Sequence, residues 1–375
     1  MSEWITYTLG EVTKNFDSVR VPVKSTERVP GPYPYYGASG IVDSVSDYLF
    51  DGEYLLIAED GENLRTRGTP IAFMATGKFW VNNHAHVVQG NHLANTRFLC
   101  YVLARTDISG YLSGSTQPKL TQASLNLIKV KLPSMRQQDA IVDLLGALDD
   151  KIAINERIAI TAESLALALA CGKRWQERVR LEEICLLRKD QISPQGIFSG
   201  FVDHYSLPAF DASKMPERVP PESIKSGKFS ITTPVVLLSK LNPGIPRVWN
   251  VTPNPEVLSL ASAEFLVLTP REPLTTHELW AVTSQQDFLN NLASRVTGTS
   301  KSHQRVRPTE VMATEVIDPR QFGETALQIR NLSGRAALAR RESQTLATLR
   351  DTLLPQLMSG RLRVQDAEKI VEDHA

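Results

Sequence analysis

Two long stretches of the chain carry apolar and small residues in a repeating four-three spacing. The first runs from Arg136 to Ala170, lacks proline and contains one glycine, Gly146. Its spacing is helical and close to the 3.5-residue repeat of a coiled-coil seam. At about 1.5 Å per residue, roughly 35 residues predict a rod of about 50 Å. The predicted seam positions are Ile141, Leu145, Leu148, Ile152, Ala159, Ala162, Ala166 and Leu169.

The first stretch also contains residues that a single seam does not explain. Asn155 interrupts the seam, and a single buried Asn often fixes the register of two packed helices. Ile154, Ile158 and Leu165 lie outside the seam. Apolar residues beyond one seam predict a second buried face or a partner-binding surface.

A second stretch, from Gln321 to about Gln356, repeats the pattern of the first. The separation between Leu148 and Leu332 equals the separation between Gly114 and Gly298. A constant offset across different elements indicates an internal duplication, although any two amphipathic helices resemble each other to some degree. The repeated positions are Ile329, Leu332, Ala336, Ala339, Ser343, Leu346 and Leu353.

The regions before each long stretch are predicted to be mixed and rich in strands. In residues 1–132, short apolar runs are bounded by turn signals such as Asp51-Gly52 and Asp60-Gly61. A second region, from Leu181 to about Pro319, opens with LEEI, which matches LGEV at Leu9–Val12. The predicted strands are Tyr54–Ala58, Ile71–Ala75, Ala85–Val88, Leu125–Leu132, Pro234–Leu238 and Glu264–Leu268, and a short helix is predicted over Thr96–Arg105.

These patterns predict a mixed α/β (α+β) fold in which two equivalent long helices alternate with two divergent globular regions. The sequence of the second globular region differs throughout from that of the first, which indicates constant spacers that carry variable heads. The predicted boundaries are 1–132, 133–178, 179–319 and 320–364, with a tail at 365–375.

The composition limits the kinds of binding site and the cellular location that we expect for the chain. Lys plus Arg and Asp plus Glu both total 41, so the net charge is zero and any nucleic-acid site must be a local patch. The three cysteines form no CxxC pair, which favours a reducing cytosol. The N-terminus has no signal-peptide pattern, and no apolar run approaches the roughly 20 residues of a membrane span. We therefore expect a cytoplasmic protein without a membrane partner.

No catalytic signature is found in the sequence. Neither of the glycine-rich phosphate-binding patterns, GxGxxG and GxxxxGK[ST], occurs, and neither do the proline-containing tetrapeptides of adenine methyltransferases. His84 and His86 are spaced like two residues on one strand face, but no Cys or Asp cluster accompanies them. We expect a non-catalytic chain that holds neither metal nor cofactor.

Two basic loop regions occupy matching positions, Ile108–Lys131 and Phe288–Thr309, and neither contains an acidic residue. Each includes a Gly-Ser/Thr cluster that can offer N–H and hydroxyl groups to phosphates while Lys and Arg neutralise charge. Asn83, Gln117 and Gln304 could contact adenine edges, and Arg305 or Arg307 could contact guanine. Taken alone, each loop is more often a solvated surface, but two such loops at the same offset favour DNA contact. The candidate DNA-binding residues are Lys78, Asn83, His84, Ser115, Thr116, Gln117, Lys119, Arg295, Thr299, Ser300, Lys301, His303, Gln304, Arg305 and Arg307.

A third candidate is the aromatic stretch at residues 33–40. Tyr33, Tyr35 and Tyr36, with small residues and glycine, suit a surface that stacks on bases or faces a groove. A turn whose tyrosines pack on the core explains the same residues, and the sequence leaves both interpretations open.

Several of these segments together resemble the specificity subunits of type I restriction-modification systems, over nearly the whole chain. No single segment is decisive. The segments that carry the resemblance are YPYYGASG at 33–40, LFDGEYLLIAEDG at 49–61, GSTQPKLT at 114–121, LPSMRQQDAIVDLLGALDDKI at 132–152 and LRDTLLPQLMSGRLRV at 349–364.

The resemblance implies two target-recognition domains, each binding one half of a bipartite double-stranded DNA site. It implies that the two long helices pack antiparallel as a spacer related by a pseudo-twofold duplication. It further implies two modification subunits, which carry S-adenosylmethionine and methylate adenine, and restriction subunits that use ATP and Mg²⁺. Base contacts cannot be carried over, because the recognition domains of this family vary greatly.

Two other functions remain open at the level of sequence. One is a self-sufficient DNA-modifying enzyme, against which the missing cofactor and catalytic motifs argue. The other is a coiled-coil scaffold that binds proteins and not DNA. The salt dependence of DNA binding separates the scaffold from the DNA-binding subunit, because phosphate contacts give a steep slope.

Overall fold

The computed structural model describes residues 4–114, 116–172, 174–194, 200–296 and 304–373. The chain divides into two units, one made of residues 1–150 and 347–375 and the other of residues 151–346. Each unit contains one of the two globular regions, and both long helices continue from one unit into the other. The four-part division predicted from the sequence stays a prediction.

Alternating and continuous apolar runs account for the elements of the first unit. They are β1 (Ile5–Thr8), α1 (Leu9–Val12), β2 (Thr13–Asn15), β3 (Tyr33–Gly37), β4 (Gly40–Val45), β5 (Phe50–Ala58), α2 (Asn63–Thr66), β6 (Ala72–Val81), β7 (Ala85–Gly90), α3 (Thr96–Arg105), α4 (Gln122–Leu127), β8 (Lys129–Leu132) and the beginning of α5 (Met135–Ala170).

The described residues of the first unit form a six-stranded sheet in the order β2-β7-β5-β6-β3-β4. The nine-residue strand β5 pairs antiparallel with β6 and β7, so it lies inside the sheet. One core cluster includes Leu56, Phe79 and Val87 from these three strands. At the start of α5, the buried Gln138 donates to the backbone oxygens of Leu93 and Pro133, which fixes the helix on the globular region.

The second unit contains more and shorter strands. Its elements, with the C-terminal helices that follow, are β9 (Arg178–Arg180), α6 (Leu181–Ile184), β10 (Cys185–Arg188), β11 (Gln191–Ile192), β12 (Val202–Tyr205), α7 (Leu207–Ser213), β13 (Glu217–Val219), β14 (Lys228–Ile231), β15 (Val235–Ser239), β16 (Val248–Val251), β17 (Ser259–Ser262), β18 (Phe265–Pro270), α8 (Thr276–Thr283), α9 (Gln286–Ser294), α10 (Pro308–Met312), β19 (Glu315–Ile317), α11 (Glu324–Met358) and, belonging to the first unit, α12 (Val364–Glu372).

Two sheets organise the described part of the second unit, in the orders β10-β18-β15-β16 and β11-β14-β17-β12-β13. All five residues of β15 are buried. Val236 and Leu238 belong to the cluster that also contains residues of α5, α8 and α11, whereas Val235 and Leu237 belong to a second cluster. Because successive strand residues point to opposite faces, this continuous apolar run places β15 between two cores.

The two long helices pack antiparallel within the second unit. The Nζ atom of Lys151 lies 3.1 Å from the Glu342 carboxylate, whereas Ala166, further along α5, shares a core cluster with Ile329, which precedes Glu342 on α11. Between these points the buried Arg340 of α11 pairs with Glu163 of α5, with Nη2 3.0 Å from the carboxylate. Buried small residues in the same stretch allow the backbones to approach closely. They are Ala159, Ala162, Ala336 and Ala339.

Burial along the helices agrees with the predicted seam. Of the predicted seam and off-seam residues, Ile152, Ile158 and Leu332 are half-buried, whereas Ile154 is 51% exposed. Asn155 is fully buried, and its side-chain amide has no hydrogen-bond partner among the described residues. The buried seam residues include Ile141, Leu145, Leu148, Ile329, Leu346 and Leu353.

The mixed fold class and both long helices are confirmed, and the helix predicted over Thr96–Arg105 is α3 itself. The strand predicted over Leu125–Leu132 is wrong in its first half. Thr121 caps a helix there by accepting a hydrogen bond from the Ser124 N–H at 3.2 Å, and β8 begins only at Lys129. None of the helices in the described ranges is both long enough and apolar enough to cross a membrane.

Close approach of the helices predicts that enlarging an alanine in the contact destabilises the second unit. Ala159 is fully buried, so Ala159→Leu should lower the free energy of unfolding by about 1–3 kcal/mol through overpacking. Ala153→Leu makes the same change at an exposed position of α5 and should have little effect. Urea denaturation followed by circular dichroism measures both. Equal stability of the two variants would contradict the close packing.

Candidate nucleic-acid interface

In the first unit, the basic loop closes on itself and is fixed to the end of β5. Ser113 and Lys119 exchange two backbone hydrogen bonds of 2.8 Å. Gly114 has a φ of +86°, and a Cβ at this position would lie 2.2 Å from the Gln117 backbone oxygen. Glycine is therefore required for the tight reversal. The Leu120 N–H then donates to the Glu59 oxygen at 2.8 Å, just beyond the last residue of β5.

The turn between β6 and β7 meets the same strand end. The Glu59 N–H donates to the His84 backbone oxygen at 2.9 Å, and His84 Nδ1 lies 2.7 Å from Asp60 Oδ2. The structure therefore brings two of the sequence-predicted segments together around the end of β5. Their exposed candidate residues are Asn83, His84, Thr116, Gln117 and Lys119.

A network of charged side chains lies beneath this surface, and the sequence analysis missed it. Glu59 accepts a hydrogen bond from Arg20 at 2.8 Å and lies 3.3 Å from Lys119 Nζ. Arg20 also lies 3.4 Å from Asp17, which contacts the buried His86 at 2.6 Å. Asp17 and Arg20 are neighbours in sequence, but Glu59, His86 and Lys119 come from distant parts of the chain, so no sequence spacing indicates the network. The network ties the exposed Lys119 to the core.

His86 is held between two hydrogen-bond acceptors. Its Nδ1 faces the Asp17 carboxylate, and its Nε2 lies 2.8 Å from the Leu120 backbone oxygen. These two contacts fix the orientation of the buried ring. Burial favours a higher pKa for Asp17, but the His86 hydrogen bond and charge and the Val87 N–H outweigh burial and lower the pKa below its usual 3.8.

Two tyrosines of the aromatic stretch at residues 33–40 pack against other side chains of the first unit. Tyr35 is 1% exposed, its hydroxyl accepts from the Val23 N–H at 3.1 Å, and Arg28 covers its ring. Tyr36 packs on Phe73 and Phe79. The prediction that Tyr35 stacks on bases is therefore wrong, because both its ring and its hydroxyl are already engaged inside the unit.

Two other candidates of this region are tied to an aromatic neighbour. The half-buried Tyr33 meets Tyr48 edge to face, with ring centroids 5.1 Å apart. The exposed Lys78 places its Nζ 4.5 Å from the centroid of the same Tyr48 ring, and its hydrogen bond with Tyr48 raises the pKa of Lys78. Lys78 keeps its charge at the surface, so it stays a candidate for phosphate contact.

The second unit repeats the backbone arrangement of the first. The Lys240 N–H donates to the Glu264 oxygen at 3.0 Å, as Glu59 donates to His84. The Lys240 oxygen accepts from the Val306 N–H at 3.1 Å, as the Glu59 oxygen accepts from Leu120. Arg305 therefore corresponds in position to Lys119. The described end of the second basic loop is hydrogen-bonded to the residue that follows β15, as the first basic loop is hydrogen-bonded to the residue that follows β5.

Arg305 is engaged in a two-point ion pair. Its Nε and Nη2 atoms lie 3.2 and 2.9 Å from the two carboxylate oxygens of Glu264. This pairing raises the pKa of Arg305 and lowers the pKa of Glu264. A guanine contact through the same atoms requires Arg305 to exchange this partner.

The remaining candidates of the second basic loop lie at its two ends. Arg295 follows α9 and its Nη1 lies 3.5 Å from Thr314 Oγ1, whereas Arg307 precedes α10 and is exposed. Gln304 accepts from the Asn242 N–H through its backbone oxygen at 2.8 Å, so its amide side chain is not needed to hold the loop. The predicted residues Ser115, Thr299, Ser300, Lys301 and His303 lie outside the described residues.

Metal-site geometry is not found in the described ranges, where no group of three His, Cys, Asp or Glu side chains could hold a metal ion. His84 and His86 do not act as a pair, since each contacts a different carboxylate, Asp60 or Asp17. The arrangement instead offers exposed cations and amides on two loops of fixed backbone, which are the groups that contact phosphates and base edges.

Comparison with known proteins matches parts of the chain to proteins described as type I restriction specificity subunits. Residues 1–164 match the family model described as type I restriction modification DNA specificity domain. A Haemophilus influenzae protein, the inferred type I restriction enzyme specificity subunit S.HindORF215P, is 43% identical over 144 residues, covering 37% of this chain and 36% of that protein. The specificity subunit of the Escherichia coli type I enzyme EcoprrI is 30% identical over 120 residues, covering 31% and 28%. The matches thus span about a third of these curated relatives.

A solved structure resembles the fold of this chain over nearly its whole length. A crystal structure of the S subunit of a type I restriction-modification system from M. genitalium superposes with a TM-score of 0.63. The superposition covers 95% of this chain and 96% of that one, at 14% sequence identity. At this identity the likeness concerns the fold.

The charged network predicts a pH-dependent effect of Asp17→Asn. Because the pKa of Asp17 is lowered in the folded state, its ionised form contributes stability above about pH 3.8, which is lost as the pH falls through the folded-state pKa. The variant should unfold about 1–3 kcal/mol more easily near pH 7, with a smaller difference near pH 3. Urea denaturation at both pH values measures this. The exposed Asp143→Asn is the control, and a difference that grows on acidification would contradict the network.

Proposed function

We propose that the chain is a specificity subunit of a type I restriction-modification system and that it recognises a bipartite double-stranded DNA site. Each unit contacts one half-site through the loop at the end of its central strand. The chain itself performs no catalysis and directs adenine methylation or cleavage by partner subunits.

The observation that carries this proposal is the repeated backbone frame at Glu59 and Lys240. In both units the same pair of backbone hydrogen bonds holds a loop cation, Lys119 or Arg305, at the surface. The side chains around the frame differ between the units: His84 stands where the second unit has Glu264. A constant frame with variable side chains is suited to recognising two different half-sites with one architecture.

The two loop cations differ in the contact that each can make. Lys119 is half exposed, and Glu59 retains Arg20 as a partner when Lys119 turns to a phosphate. Lys119 is a flexible point charge and suits a phosphate. Arg305 has a planar fork that already matches a carboxylate, and the same geometry matches the O6 and N7 atoms of guanine.

The partners and cofactors follow from the family and are part of the proposal. Two modification subunits carry S-adenosylmethionine, restriction subunits use ATP and Mg²⁺, and the assembly works in the cytoplasm. This chain contributes no cofactor site of its own.

An apolar groove on α5 supports a partner-binding surface. It has a volume of about 460 Å³ and lies within the second unit. Ile154 and Leu165 line it and are 51% and 49% exposed, whereas Ile158 also packs against the buried alanines. Exposed apolar residues at helical spacing are typical of a protein interface, and a modification subunit is the partner that we propose for it.

Substitution of the two loop cations tests DNA recognition. Lys119→Gln should weaken binding to all sequences and reduce the salt slope by about one unit. Arg305→Lys keeps the charge but removes the fork, so it should cost about 1–3 kcal/mol at one base position of one half-site. Selection of bound sites from a random library, together with a salt titration, measures both effects. Equal, sequence-independent losses for the two variants would refute the base-contacting role of Arg305.

Replacement of apolar residues in the α5 groove tests partner binding. Ile154→Asp combined with Leu165→Asp should reduce assembly with the modification subunit, since two charges would be buried in the interface. Ile160→Asp is the matched control, because Ile160 is 53% exposed on α5 but does not line the groove. Co-purification and sedimentation of the complex report assembly. Unchanged assembly of the double variant would place the interface elsewhere.

A further inference from the structure

A cleft in the second unit lies beside the Arg305 segment, and no sequence pattern indicated it. Its volume is about 670 Å³, and its walls come from β10, the residue after β15, α10 and apolar residues of β14 and β18. The cations that line it are Arg188, Lys189 and Lys240, and Gln191 and Thr309 add an amide and a hydroxyl.

The charge balance of the cleft is positive. Neither Lys189 nor Lys240 has a carboxylate within ion-pair distance among the described residues. Arg188 lies 3.7 Å from the largely exposed Asp190. Glu182 is the one acidic residue in the described lining, and it lies 3.8 Å from Arg180. The cleft thus presents more cations than carboxylates to an incoming ligand.

The first unit has the opposite charge at the corresponding position. Lys240 occupies the backbone position of Glu59, as the matched hydrogen bonds to Glu264 and His84 demonstrate. Glu59 is neutralised by Arg20 and Lys119, so this point of the first unit offers no additional cation. The two units therefore differ in how much positive charge surrounds the shared frame.

We propose that the cleft binds the phosphate backbone of DNA next to the half-site recognised by the second unit, through Lys240 and Lys189. Lysine, amide and hydroxyl donors are the groups that contact phosphate oxygens, and such contacts position a duplex without specifying its sequence. This inference rests on the proposed DNA-binding function. It adds that the second unit carries a phosphate contact, or anchor, on the shared frame itself, at the position where the first unit has Glu59.

Neutralisation of the two lysines tests the anchor in the full-length chain. With fluorescein-labelled duplex DNA of mixed sequence, Lys240→Gln combined with Lys189→Gln should weaken binding and reduce the log–log salt slope by about two units. A second variant, Thr309→Glu, adds a negative charge at the exposed mouth and should also weaken binding. An acidic residue in the first turn of α10 favours the helix, so this variant is expected to fold.

Lys225→Gln is the matched control, because Lys225 is exposed and does not line the cleft. An unchanged slope for this control, with a reduced slope for the double variant, supports the anchor. Equal slopes for the wild type and the double variant, or an equal reduction with Lys225→Gln, overturn it. If DNA binding by the wild-type chain does not depend on salt, the proposed function is rejected. If Lys119→Gln reduces the salt slope but the Lys189 and Lys240 double variant does not, only the anchor is rejected.

Discussion

A pair of backbone hydrogen bonds at the end of each central strand is the constraint on which the interface depends. At Glu59 and at Lys240, one N–H donates to the turn that precedes a neighbouring strand of the sheet, β7 or β18, and one carbonyl accepts from the basic loop. Main-chain groups make these bonds, so the side chains of both partners can change without loss of the frame. The backbone hydrogen bonds therefore hold the loop in the same position in both units, while the side chains on the loop can differ.

The chemistry at the two frames differs accordingly. In the first unit a carboxylate stands on the frame itself and is neutralised from below by Arg20, with His86 and Asp17 fully inside the unit. In the second unit Lys240 occupies the position of Glu59, and the carboxylate next to the loop cation is that of Glu264, which pairs with Arg305. The partly exposed ion pairs of the two loop cations, Lys119 with Glu59 and Arg305 with Glu264, contribute little stability. Their main effect is to orient a cation at the surface before DNA arrives.

The long helices impose a different constraint. Their contact in the second unit includes four buried alanines, whose small side chains let two backbones approach closely and leave little room for adjustment. The larger apolar side chains that lie off this contact, such as Ile154, remain at the surface and are available to another protein. One helix can therefore serve both the architecture of the chain and its assembly.

The sequence by itself determined the long helices, their duplication, the helix over Thr96–Arg105 and the strands at β15 and β18, because apolar periodicity and turn residues act locally. It also indicated the two basic loops. It did not separate a base-stacking Tyr35 from a buried one, since both interpretations need the same aromatic residue. Only the tertiary structure decided that His86 meets Asp17, that Glu59 meets Lys119, and that Lys240 and Glu59 share one position. Those pairings join segments that are distant along the chain, and long-range contacts leave no spacing in the sequence from which they could be predicted.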